Sequence, residues 1–188
     1  MKKGRIFVIS APSGCGKTTI CERVSKRVKS LVSSTSVTTR PPRPGENRGK
    51  EYNYISRRFF EKEIKKGNLL EWEENFGYLY GTPKHFVQEA LKKGKNLLLS
   101  VDVKGAMNVK KIFPAATLIF IKPPSMAELA RRLKSRNTDA DTEIGNRLKI
   151  AKKELKFAPR YNYIIVNKKL EDAVNKVVSI IKKKTKGR

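Results

Sequence analysis

Apolar runs of strand length recur along the chain, separated by stretches with helical spacing. Residues 5–10, 31–36, 96–102, 116–121 and 163–167 are the strand-length runs, most of them apolar on consecutive positions rather than alternate ones. That pattern marks strands buried on both faces. Between them, Ile20, Val24 and Val28 fall one turn apart in a helix running from Lys17 to about Ser30. Further helical patterns cover residues 57–66, 83–93, 105–113, 126–135, 142–156 and 170–183. Ser56 and Ser125 stand where N-caps are needed, and Gly67 stands where a helix should stop. The alternation predicts an α/β fold with a parallel sheet core and helices on both faces.

Two segments depart from that rhythm. Residues 37–52 hold Pro41, Pro42, Pro44, Gly45 and Gly49, which fix the backbone and forbid helix and central strand. A long, shaped loop carrying Arg40, Arg43 and Tyr52 is expected there, and such loops are often functional. Residues 52–55, 69–76 and 78–82 read as strands, the last two around a turn at Gly77. Residues 36–82 are therefore expected to form a small mixed β insert. Residues 125–156 read as two helices joined by a polar turn, with Arg131, Arg132, Arg136 and Arg147 around it. A mobile lid and a solvated helical hairpin fit that pattern equally. Residues 1–35, 83–124 and 157–188 are left as the core.

The first strand leads into Ala11, Pro12, Ser13, Gly14, Cys15, Gly16, Lys17 and Thr18, and a helix leads out. Strand, glycine-rich turn, Lys-Thr and helix together form a phosphate-binding loop. Its backbone amides and the helix N-terminus favour an anion at one spot. Lys17 is placed for the β- and γ-phosphates of a nucleoside triphosphate, and the Thr18 hydroxyl for Mg²⁺. Ala11 stands where the first glycine of the pattern usually lies.

Charge changes this picture little. The 188 residues carry 43 Lys and Arg against 17 Asp and Glu, a net charge of +26, which favours phosphates and acidic surfaces. The lysines are nevertheless spread over helix surfaces, at Lys26, Lys65, Lys92, Lys110, Lys152 and Lys176, and only residues 182–188 form a dense run, expected to fray. No aromatic platform or docking helix accompanies them, so no nucleic-acid partner is expected. Cys15 and Cys21 are too few for a disulfide framework. Cys15, at a helix N-terminus beside Lys17, is expected to be a reactive thiol, the alternative being a buried, inert one. His85 is the only histidine, which leaves little support for histidine-based catalysis. With no signal peptide or membrane span in the sequence, a cytoplasmic protein, monomer or homodimer, is expected.

The rest of the candidate site narrows the chemistry. Arginine forks fit phosphate, so the Arg and Tyr loop suits a second phosphate group. Glu71 and Asp102 are acceptors expected near it, and guanine presents N1–H and N2–H₂ donors on its Watson–Crick edge, where adenine presents an acceptor at N1. The chain resembles the guanylate kinase family in its phosphate loop (residues 10–18), in residues 36–46 and 49–54, in Glu71-Trp72, in residues 80–82 and 101–105, and in residues 165–167. The resemblance implies a nucleoside monophosphate kinase fold and MgATP-dependent phosphorylation of GMP, and more weakly dGMP, by direct in-line transfer. It implies that Arg40, Arg43, Tyr52 and Tyr80 hold the GMP phosphate and that Ser36, Glu71, Thr82 and Asp102 read guanine. It implies that Lys17, Arg40, Arg136 and Arg147 are catalytic. Residues 11–19, ending at Thr19, with Arg132, Arg136 and Asn167, would bind ATP, and Thr18 the metal.

Members of that family often carry an acid where this chain has Ser100, and a Gln where it has Lys104; acids also commonly follow the position of Asn167, where this chain has Lys168 and Lys169. Weaker Mg²⁺ binding is the expected consequence at Ser100. The alternatives are a non-catalytic phosphopeptide-binding module of similar sequence and a related sugar-phosphate kinase. The intact phosphate loop stands against the first, and the Glu71 and Asp102 pair against the second.

Overall fold

A computed structural model describes residues 4–42, 46, 47, 49, 52–135 and 141–186. In chain order the first half runs β1 (Ile6–Ser10), α1 (Lys17–Arg27), β2 (Leu31–Ser33), β3 (Ser36–Thr38), β4 (Tyr52–Tyr54), α2 (Arg57–Lys65), β5 (Leu69–Asn75) and β6 (Tyr78–Pro83). The second half runs α3 (Lys84–Lys92), β7 (Asn96–Ser100), α4 (Val103–Ile112), β8 (Thr117–Lys122), α5 (Met126–Lys134), α6 (Asp141–Leu155), β9 (Tyr163–Val166) and α7 (Leu170–Lys186). Five strands form a parallel sheet in the order β2-β7-β1-β8-β9.

Consecutive apolar residues in β1 serve opposite faces of this sheet. Phe7 and Ile9 join Leu98, Ile119 and Ile121 in a core with Ile20 and Val24 of α1 and Val174, Val177 and Ile181 of α7. Ile6 and Val8 join Leu97, Leu99, Leu118 and Phe120 in a second core with Val87 of α3 and Val103, Ala106 and Val109 of α4. Every residue of β1 is buried. Burial at roughly 1.5–3 kcal/mol per large apolar side chain makes this strand the anchor of the fold.

The other four strands form a mixed sheet in the order β4-β3-β6-β5, with β3 and β4 parallel and the remaining pairs antiparallel. The β5–β6 hairpin closes on the Asn75 and Tyr78 pair. Its two connecting residues, Phe76 at φ 54° and Gly77 at φ 76°, are both left-handed, as a type I′ turn requires. A register shift between Leu69 and Glu71 leaves Leu70 and Glu71 both buried, so the irregularity turns a carboxylate inward.

Four local expectations change. The run 31–36 divides between the sheets, because Ser34 and Thr35 leave β2 and the chain re-enters as β3 at Ser36. Pro83 pairs with Leu69 at the end of β6 and caps α3 rather than opening it. The helix expected from Gly105 starts at Val103, with Asp102 as its N-cap. The basic tail does not fray before Lys186: α7 extends that far, held by Ala173, Val174, Val177 and Ile181, and its terminal lysines suit the negative end of a helix. Among the described residues no helix is long and apolar enough to cross a membrane.

Phe60 of α2 is fully buried and its ring would lie 3.0 Å from a Cβ on Gly81, so it pins α2 onto the second sheet. Phe60→Ala should cost about 3–5 kcal/mol, measured by denaturant unfolding; a loss near zero would mean that α2 contributes nothing to holding this sheet.

Candidate functional site

The phosphate loop leaves the carboxyl end of β1, at the sheet edge where open α/β folds bind ligands. Gly14 and Gly16 take φ values of 90° and 84°, conformations that side chains resist. A Cβ on Gly14 would lie 2.8 Å from Leu133 Cδ2, and one on Gly16 3.0 Å from Asn167 Nδ2. The loop is braced from behind: Asn167 Nδ2 donates to the Cys15 carbonyl at 2.9 Å, and Arg132 Nη2 to the Asn167 carbonyl at 3.0 Å. Lys17 Nζ donates to the Val101 carbonyl at 2.8 Å, which places it at the adjoining end of β7.

A cavity of about 220 Å³ opens in front of the loop. Ala11, Pro12, Ser13, Gly14, Gly16, Lys17, Thr18 and Thr19 form one wall; Ser36, Arg40, Tyr52 and Tyr80 line another; Glu71, Asp102 and Arg147 also face it. The structure thus brings together most of the residues singled out from sequence. Arg132, Asn167 and Cys15 do not line it; Arg132 and Asn167 brace the loop from behind, and the Cys15 side chain turns from the loop into the core. Thr82 is buried behind Glu71, to which its hydroxyl donates. Arg43 and Arg136 lie outside the described residues. Cys15 is fully buried in the apolar core, so the expectation of a reactive thiol fails: the helix N-terminus is present, but solvent access is not.

Arg40 Nη2 donates to both carboxylate oxygens of Glu46, at 2.9 and 2.8 Å, and Nη1 donates to the Pro41 carbonyl at 2.7 Å. Its guanidinium sits 5.6 Å from the Tyr52 ring centre. One arm of the guanidinium that would grip a phosphate is therefore already taken by a carboxylate, and the other by a backbone carbonyl. On the opposite wall Asp102 Oδ1 accepts the Gly105 amide at 2.7 Å, and Oδ2 accepts Asn75 Nδ2. Asp102 is thus both a helix cap and a cavity wall. A Cβ on Gly105 would lie 2.4 Å from Glu71 Oε2, so the bare α4 start is what lets the two carboxylates share one corner.

Burial pushes the Glu71 carboxyl up to about 7, with the Asp102 charge adding to the rise and the Thr82 hydrogen bond and Lys17 opposing it. Burial likewise pushes Glu154 up to about 7, with Asp102 again adding and Lys17 opposing. Glu154 was missed in the sequence. It follows Arg147 by seven positions on α6, two turns on, and Ile150 lies between them on the same face; all three line the cavity. Glu46, Glu73, Asn75 and Phe76 also line it. The last two sit at the hairpin tip, where alternation gives no sign of what the turn reaches.

Because Glu71 has a folded pKa above its ordinary value, the fold is favoured as the group protonates. Stability from this site is full below about pH 4.5 and is lost as pH rises through about 7. Glu71→Gln, which still accepts from Thr82, should raise the melting temperature of the ligand-free protein by roughly 2–5 °C at pH 8. The gain should shrink toward pH 5. Equal melting temperatures at pH 8 would show that the carboxylate carries no burial penalty.

Comparison with known proteins places this architecture. A family model described as Guanylate kinase matches residues 3–184. The guanylate kinase of Thermotoga maritima is 45% identical over 180 residues, covering 96% of this chain and 87% of its own. That of Gloeobacter violaceus is 48% identical over 177 residues, covering 94% and 86%. The crystal structure of guanylate kinase from Anaplasma phagocytophilum superposes with a TM-score of 0.82 at 32% identity, over 97% of this chain and 87% of that one. A shikimate kinase from Bacteroides thetaiotaomicron, at 14% identity and a TM-score of 0.50, shares the fold alone. With a phosphate loop and the carboxylates of Glu71 and Asp102 lining one cavity and matches along nearly its whole length, the chain belongs to the guanylate kinase family of nucleoside monophosphate kinases.

Proposed function

We propose that this chain transfers the γ-phosphoryl group of MgATP to GMP, and to dGMP, within the cavity between the phosphate loop and the second sheet. The observation that carries this reading is the pair of carboxylates, buried Glu71 and half-buried Asp102, in the cavity that Lys17 also lines. Two acceptors in one corner match the two adjacent donors of guanine. Ser36 and Thr82 complete the base site, and Thr82 orients Glu71. Arg40, Arg43, Tyr52 and Tyr80 hold the GMP phosphate, which displaces Glu46 from the Arg40 fork.

Residues 11–19 cradle the ATP phosphates, and Lys17 leaves the Val101 carbonyl to meet them. Arg147 and Arg136 draw charge from the transferring group, and Arg132 and Asn167 position the loop and the adenine side. Catalysis is then positioning plus charge neutralisation, with no covalent intermediate. Residues 1–35, 83–124 and 157–188 act as the core, 36–82 as the GMP-binding insert and 125–156 as the lid, whose closure excludes water.

The donor set suits Mg²⁺. Thr18 faces the cavity, and no group of three or more acidic, histidine or cysteine residues capable of caging a metal exists among the described residues. Mg²⁺ characteristically takes most ligands from phosphates and water. Bound there through Thr18, it would neutralise phosphate charge. Ser100 lines the same cavity without a carboxylate, so Ser100→Asp should lower the Mg²⁺ concentration needed for half-maximal rate. We place the protein in the cytoplasm, acting on small molecules as a monomer or homodimer.

Lys17→Ala should nearly abolish turnover in a folded protein, as read by a coupled assay; a parent-like kcat would remove the phosphate loop from the mechanism. Glu71→Gln should lower kcat/KM for GMP by about tenfold to a hundredfold with KM for ATP unchanged. In the parent, guanine donors favour ionised Glu71, so KM for GMP should rise as pH falls below about 7. AMP should be a very poor substrate. Equal use of AMP or a sugar phosphate would remove the guanine-reading assignment and leave only the phosphate loop.

A further inference from the structure

The β5–β6 hairpin tip touches both the core and the lid. Asn75 Nδ2 donates to Asp102 Oδ2, while Gly105 N–H holds Oδ1. The next residue, Phe76, places its ring 5.2 Å from the Arg147 guanidinium carbon. Phe76 is the only non-glycine residue with positive φ among the described residues. Asparagine, aspartate or glycine suits that turn position far better than phenylalanine. A residue kept at a backbone cost beside a cavity points to a role for the turn. The type I′ geometry has a definite consequence: it ends β5 at Asn75, on the cavity side and within reach of Asp102.

We infer that Asn75 is a specificity-determining positioning residue, which fixes the Asp102 carboxylate so that Oδ2 meets the exocyclic amino group of guanine. The inference rests on the proposed GMP reading and extends it to a residue outside the quoted family motifs. Asp102 alone can rotate about its last side-chain bond. With Gly105 N–H on one oxygen and Asn75 on the other, its plane is set from two elements, α4 and β5. A carboxylate oxygen accepts more than one hydrogen bond, so Oδ2 keeps capacity for the base while Asn75 remains bonded. The lost contact in a variant would therefore be felt in substrate binding and not in the phosphoryl-transfer step. It would also be felt most by substrates that carry the amino group.

The test compares GMP with IMP, which lacks that amino group. Asn75→Leu has nearly the same size and no donor. It should lower kcat/KM for GMP by about tenfold, through KM for GMP, with kcat and KM for ATP unchanged. IMP should lose much less, so the GMP preference over IMP contracts. Asn75→Gln keeps a donor on a longer arm and should recover much of the loss. Melting curves of both variants report the fold. Equal losses for GMP and IMP, a loss in kcat, or failure of Gln to recover while both variants melt like the parent would overturn the inference. A parent enzyme that shows no preference for GMP over AMP would instead overturn the underlying substrate reading.

Discussion

Parallel pairing of β1 with β7 is the constraint on which the site depends. It sets Ile9 beside Ser100 in register, so the phosphate loop leaving β1 and the Val101–Asp102 segment leaving β7 emerge side by side. Lys17 closes the junction by donating to the Val101 carbonyl. Both strands are buried on two faces, so a slip of one position would swap their side chains between the two cores and break the match with α1 and α4. The same packing that holds the sheet thereby fixes the distance between the cationic and anionic halves of the cavity.

The anionic half is costly. Glu71 and Glu154 are both shifted upward by burial, and Asp102 reinforces each shift instead of relieving it. Only Lys17 and the Thr82 hydroxyl oppose the rise at Glu71. Such an arrangement stabilises the empty protein poorly and is repaid when a ligand supplies donors. The cationic half is treated differently. Arg40 is buried and is paired with Glu46 beside the Tyr52 and Tyr54 rings. One side of the cavity is thus left under-satisfied and the other satisfied by an exchangeable partner. That asymmetry favours a substrate bringing donors at one end and an anion at the other.

Much of this was legible from the chain. Consecutive apolar positions marked the buried strands, prolines and glycines marked the insert, and the spacing around Gly14, Gly16 and Lys17 marked the loop. What sequence could not supply were features set by tertiary geometry. The inward turn of Glu71 follows from a register irregularity in β5 that composition does not reveal. The roles of Asn75 and Phe76 depend on where a two-residue turn points. Glu154 lay hidden among the charged residues of α6, though its spacing from Arg147 was a usable signal. Cys15 was misjudged because its place at a helix N-terminus outweighed the alternative of burial, which only the packing of the core decides. Division of residues 31–36 between two sheets was missed because polar residues inside a short run can equally mark a strand end.

The central claim is that Glu71, held near neutrality by burial, becomes fully ionised when it accepts guanine's donors. The most direct measurement is calorimetric titration of GMP at pH 7 in buffers of different ionisation enthalpy, for the parent and for Glu71→Gln. Protons released by the phosphate as its arginines bind it are common to both proteins and cancel in the comparison. The account predicts that the parent releases about half a proton more than the variant, since a group titrating near 7 is half protonated at that pH. Identical proton release in the two proteins would contradict it.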